Sequence, residues 1–176
     1  MILLELSDFN GFYTLAKSID SDPILQSYID RFEESFIKRI LGVELGQLFI
    51  DDVQGVDSDS ASIEPRFQAL IDAFIKQDGC GTIYESKGMK DLLAGLVYSE
   101  YIVDTQVKHT QSGATLNQSE VSNTASPYEA ANFGEQKWNQ SLLSIQAIQW
   151  WCGTEDITNY SEYNGTYFRP KYSPLL

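Results

Sequence analysis

Asp22-Pro23-Ile24-Leu25-Gln26-Ser27-Tyr28-Ile29-Asp30-Arg31-Phe32-Glu33-Glu34-Ser35-Phe36-Ile37-Lys38-Arg39-Ile40-Leu41-Gly42 is the stretch on which the fold turns. Ile24, Leu25, Tyr28, Ile29, Phe32, Phe36, Ile37, Ile40 and Leu41 return at steps of three and four, the period of one broad helix face. Asp22 can cap the first turn and Pro23 suits the first helical position. Asp30, Arg31, Glu33, Glu34, Lys38 and Arg39 fall on the other face, acid ahead of base as helical ion pairs prefer. Gly42 is a natural C-terminal stop.

Outward from this helix the same period recurs. A short second helix is expected over Glu44–Val53, presenting Leu45, Leu48 and Phe49. Asp51-Asp-Val-Gln-Gly-Val-Asp-Ser-Asp-Ser-Ala-Ser62 is expected as an acidic turn region. Pro65 opens a third helix, with Phe67, Leu70, Ile71, Phe74 and Ile75 on one side and Gly79 beyond its end. Cys80–Ser86 is expected as a connection or short strand. A long, weakly charged helix follows from Lys87 to Lys108, with Gly95 at its centre permitting close approach of a neighbour. Ser126-Pro-Tyr-Glu129 has the form of a capping box with proline at the first position. It starts a last helix striped by Trp138, Leu142, Ile145, Gln149 and Cys152. The expectation is therefore mainly α: one domain over residues 1–176, a small helical bundle of four to five helices.

Two segments depart from the helical period. Between the last two long helices, residues 109–126 hold only Leu116 and Val121 as sizeable apolar side chains. Such a run cannot offset its ordering entropy by burial, and loops this long in a compact domain are usually functional or disordered. Thr, Val and Leu recur along it as an extended ribbon would need. We read it as a polar arm that a partner completes, through Thr110, Gly113, Leu116 and Val121. Residues 153–176 form an irregular aromatic tail. Tyr160, Tyr163, Tyr167, Phe168 and Tyr172 offer apolar area with hydroxyl handles, and Arg169 brings local positive charge. That combination suits packing on the domain or on another subunit, and we expect an interface.

Composition excludes several roles. A hydrophobic fraction of 43% and a charged fraction of 21% are those of a globular protein. No apolar run approaches a membrane span, and Met1-Ile-Leu-Leu-Glu-Leu6 lacks the basic start of a secretory signal. Twelve Lys and Arg stand against 25 Asp and Glu, a net charge of −13. Without a basic cluster to neutralise phosphates, sequence-specific nucleic-acid binding is not expected. Acid can still serve beside DNA by repelling it, although solubility alone accounts for it more often.

Chemistry is sparse. His109 is the only histidine, so any Ser/His/Asp or Cys/His relay would rest wholly on it, at a helix end where a solvated or C-capping role is commoner. Cys80 and Cys152 have no metal-ligand or disulfide-framework spacing; small buried thiols are their common fate. Asp57-Ser-Asp59 resembles the start of a calcium loop, but Ala61 replaces the third ligand and Gln68 stands where the bidentate Glu belongs. A carboxylate metal site in a helical bundle needs paired Glu-x-x-His motifs that one histidine cannot supply. No Walker motif, dinucleotide fingerprint or nucleophile elbow is present. No enzymatic activity, metal or cofactor is expected.

Three stretches carry a family resemblance. They are Tyr28-Ile-Asp-Arg-Phe-Glu-Glu-Ser-Phe-Ile-Lys-Arg-Ile-Leu-Gly-Val-Glu-Leu-Gly-Gln-Leu-Phe49, Gly88-Met-Lys-Asp-Leu-Leu-Ala-Gly-Leu-Val-Tyr-Ser-Glu-Tyr-Ile-Val-Asp-Thr-Gln106, and the polar run from Gly113 to Pro127. In that order they resemble the head–tail connector, or adaptor, proteins of tailed bacteriophages, especially a branch in phages of gut Bacteroidota. The extension after Gly153 has no counterpart in the resemblance.

The resemblance implies a structural virion protein, made in the host cytoplasm and placed at the phage neck. Copies would assemble as a homo-oligomeric ring, commonly of twelve, between the portal protein and the tail or further neck-ring proteins. DNA would pass through the centre without specific binding. An arm that gains backbone partners by adding to another chain's strands, and cyclic contacts between unlike patches, fit that picture. A disproportionate share of Asp51, Asp52, Asp57, Asp59, Glu33 and Glu34 would then face the channel or a partner ring. The rival reading is a non-viral helical adaptor or regulatory domain that binds one protein partner through its arm or tail.

Overall fold

In the computed structural model, which describes residues 2–9, 23–59, 62–110, 113–116 and 127–171, Pro23 opens helix α1 (Pro23–Leu41). Its stripe is buried as the period requires: Leu25, Ile29, Phe36, Ile37, Ile40 and Leu41 are all in the core. Gly42 ends the helix at φ 95°, a conformation that favours glycine, and a side chain there would also strike the backbone of Asn164.

Helix α2 (Val43–Asp59) runs well past the expected end at Val53. The acidic stretch read as a turn is therefore helical through Asp59. Inside the expected part, Gln47 Nε2 donates to Asp51 Oδ1 at 2.7 Å, one turn along the axis. Asp52 Oδ2 also accepts the backbone N–H of Glu64 at 2.9 Å, which ties the following segment back to α2.

Helix α3 (Pro65–Ile71) is shorter than expected and buries Phe67 and Leu70. Asp72 leaves it in extended conformation, and Phe74 and Ile75 belong to a strand instead. That strand, β1 (Phe74–Gln77), pairs antiparallel with β2 (Ile83–Ser86), Phe74 opposite Ser86 and Gln77 opposite Ile83. The reason is aromatic and long-range. Phe74 meets Trp151 edge-on with centroids 4.6 Å apart, and Tyr84 stacks flat on Trp150 at 4.1 Å.

Helix α4 (Met89–Gln106) is the central helix, with Met89, Leu92, Leu93, Leu96, Val97 and Tyr98 fully buried. It packs antiparallel along α5 (Pro127–Trp150), and a Cβ on Gly95 would collide with Ser141 Oγ. The glycine at the helix centre thus permits the close approach expected of it. α4 stops two residues short of Lys108, and β3 (Val107–Thr110) continues the chain into a hairpin with β4 (Gly113–Leu116). His109 lies in that strand and not at a helix end.

The result is mainly helical: five α-helices among the described residues, with two separate two-stranded hairpins. A single π turn (Trp151–Glu155) follows α5, after which residues 163–171 run irregularly across the bundle. No described helix is long and apolar enough to cross a membrane.

Candidate functional site

The reactive side chains are dispersed. Cys152 is buried, and burial first, then the Asp156 carboxylate, pushes its thiol up to about 12, far from a nucleophile's range. Cys80 is exposed in the β1–β2 turn, where Asp78 Oδ1 accepts the N–H of Cys80 at 2.9 Å and of Thr82 at 2.8 Å. Those backbone bonds, Thr82's foremost, hold the Asp78 carboxyl below its usual range. Among the described residues no group of three or more His, Cys, Asp or Glu is placed to hold a metal.

One carboxylate has a use that its place on the helix wheel did not suggest. Glu33 is only 2% exposed, although helical spacing puts it on the polar face and the ring reading turned it toward a channel. Its two oxygens accept three consecutive backbone N–H groups: Ile2 at 2.8 Å, Leu3 at 2.6 Å and Leu4 at 2.6 Å. The N-terminal segment thereby covers α1 and inserts Leu4 and Phe9 into the core. Lys90 Nζ adds an ion pair to Asp8 at 3.0 Å. Glu34, by contrast, points to solvent, its side chain 58% exposed. Asp57 and Asp59 lie at the end of α2.

The tail residues divide into two sets. Tyr160 and Phe168, expected at an interface, are 1% and 2% exposed and belong to the domain's own core. Tyr160 Oη donates to the Arg66 carbonyl at 2.6 Å, and Arg66 returns a bond to the Asn159 carbonyl at 3.0 Å, pinning the turn after α5 to α3. Burial raises the Tyr160 hydroxyl well above its ordinary value. Arg66 Nε lies 3.1 Å from Glu64 Oε2, near enough for an ion pair but off the hydrogen-bonding direction.

Phe168 packs on Trp138 with centroids 5.9 Å apart, and the Arg39 guanidinium covers its ring at 4.4 Å. The backbone around it is fastened on both sides. Thr166 N–H donates to Arg39 O at 2.7 Å, and Trp138 Nε1 donates to Arg169 O at 2.9 Å. Asn139 and Lys171 exchange two bonds, and Lys171 Nζ reaches Glu100 of its own chain at 2.7 Å. Tyr163 is half-buried against the core, its hydroxyl raised to about 12 by burial. Tyr167 and Arg169 remain exposed and open to a partner, while Tyr172 lies outside the described residues.

The arm residues Thr110, Gly113 and Leu116 fall in the β3–β4 hairpin, where Thr110 pairs with Gly113 and Val107 with Leu116. Val121 lies outside the described residues. A second outward feature was not anticipated: Ile75 and Ile83, on one face of the β1–β2 hairpin, are 70% and 67% exposed. Helical spacing had assigned Ile75 to a buried stripe; only the alternation of a strand would have turned it outward. No protein family, curated protein or solved structure matches this chain.

Proposed function

We propose that this chain is a structural virion protein that assembles with copies of itself as a ring at the neck of a tailed phage. The ring would join the portal protein to the tail machinery and let DNA pass through. Its role is non-catalytic and needs no cofactor. The reading rests on the three stretches that resemble phage head–tail connectors, and one structural observation carries it further. α4 continues directly into β3, and the β3–β4 arm pairs only with itself among the described residues. An arm of that kind keeps outer backbone edges for a neighbour's strands. A net charge of −13 is compatible with a channel that DNA slides through without sticking.

The test is assembly. Purified chain would be added to portal-bearing, tail-less phage heads and examined by electron microscopy, with native mass spectrometry of the bound material. A symmetric ring beneath the portal is expected. A chain that stays monomeric or dimeric and leaves the heads undecorated removes the ring reading and favours the helical adaptor.

A further inference from the structure

The β1–β2 hairpin has an unprotected edge. Asp78 N–H donates to Thr82 O at 3.0 Å, which marks 78 and 82 as a hydrogen-bonded pair at the turn. Because such pairs alternate along an antiparallel ladder, Lys76–Tyr84 and Phe74–Ser86 are bonded pairs as well. The N–H and C=O of Ile75 and Gln77 therefore point away from β2. β2 lies against α5, so β1 is the outer strand, and among the described residues its sheet has no third member.

The side chains leave this edge open. Edge strands are commonly blunted by an outward lysine. Here Lys76 faces inward, its Nζ 2.8 Å from the centroid of the Trp151 ring. The outward face carries Ile75 and Ile83, diagonal neighbours across the ladder, with Gln77 and Glu85. At its root a cleft of about 430 Å³ opens between Ala73, Phe74, Ile75, Glu85, Ser86 and Lys87. An edge with free backbone groups, exposed isoleucines and one carboxylate suits an extended, weakly cationic segment.

The chain itself contains such a segment. Residues 105–119 carry Lys108 and His109 and no carboxylate, in a protein whose net charge is −13. They include β3 and β4, each of four residues like β1. We infer that the β1 edge is the acceptor for the arm of a second copy, which adds its hairpin to β1–β2 and forms a mixed sheet between neighbours. This rests on the ring reading for the neighbour's identity, and it supplies the unlike pair of patches that a cyclic contact requires. Glu85, one strand in from that edge and on the same outward face as Ile75, supplies the acid within reach of the arm's lysine.

A synthetic peptide of residues 105–119, titrated into the isotopically labelled intact chain, tests the acceptor by NMR. The amide resonances of Ile75 and Gln77 should move, with those around the cleft. Ile75→Pro removes only an outward donor, which edge positions tolerate, and should abolish binding while circular dichroism stays unchanged. Ile75→Lys, which keeps the backbone intact, should weaken it as well. A Lys108→Glu peptide should bind roughly two- to fivefold more weakly, and a Glu85→Lys chain should reverse that preference. Shifts confined to other surfaces, or none at millimolar peptide, overturn the inference. Ring formation on portal-bearing heads is scored separately. Peptide binding without rings keeps the acceptor and removes the ring, whereas rings that form equally well with Ile75→Pro remove the acceptor alone.

Discussion

Phe168→Ala should be among the most damaging single substitutions in the protein, although residue 168 lies in a segment without regular structure. The ring is 2% exposed, packs on Trp138 and is covered by Arg39. Removing a buried phenylalanine costs about 3–5 kcal/mol, more where the site cannot collapse. Collapse is hindered here, because Thr166 and Arg169 are hydrogen-bonded to Arg39 and Trp138 on either side of the void. For a domain of this size each kcal/mol moves Tm by roughly 2–4 °C, so a fall of about 6–20 °C is expected. Tyr167→Ala is the internal control: it is 67% exposed and should stay within about 0.5 kcal/mol of the parent. Thermal and urea denaturation followed by circular dichroism measure both. Equal Tm values for the two variants would refute the reasoning. So would a chain truncated at Asn159 that melts like the full one.

Three further outcomes follow from particular contacts. Glu33→Ala strands the buried N–H of Leu4 at a cost of about 1–3 kcal/mol, and hydrogen exchange should show residues 2–4 opening; unchanged protection there would contradict it. Gly165→Ala drives a methyl group into the Ile40 carbonyl oxygen and the Tyr163 ring, so overpacking of roughly 1–3 kcal/mol is expected by urea titration, while Gly79→Ala, in open space, should be near neutral. Tyr28, Tyr98 and Tyr163 are each raised from 10.0 to about 12, burial being the largest cause; for Tyr28 the bond to Asp104 adds to it. Their fold prefers the protonated form, so the contribution is whole below pH 10 and is lost as pH rises toward 12. Tyrosinate absorbance and helix content should change together over that window; full ionisation with the helices intact would refute it.

The helical period revealed much of this fold and little of its strands. α1 could be placed from its stripe, its proline and Gly42 because those signals are local. α2 was cut short, since Asp, Ser and Gly after Val53 read as a turn, while the bond that Asp52 accepts from Glu64 lies outside a local window. Phe74 and Ile75 continue the spacing of Leu70 and Ile71, and a run that short does not separate helix from strand. What decides for the strand is Trp150 and Trp151, more than sixty residues away. Glu33 was misjudged for a related reason: a carboxylate on a polar face gives no sign that three backbone donors will close over it. The tail has no period, so nothing local distinguishes Tyr160 and Phe168, which fill the core, from Tyr167, which does not. The outward Ile75 and Ile83 could be recognised only after the strand was known.

The way α4 and α5 hold the arm has an evolutionary consequence. The two helices are locked together through Gly95 and Ser141, and Tyr98 still meets Phe133 with centroids 6.1 Å apart near the arm's base. The ends of the insertion are therefore fixed by the body. Lengthening a loop between fixed ends costs little, about 0.6 kcal/mol for each doubling. Residues between Gln106 and Pro127 can thus accept insertions, deletions and exchange of whole segments while the bundle keeps its stability. The architecture lets the reach of the arm vary independently of the body that holds it, and the same site offers a position for grafting foreign peptides.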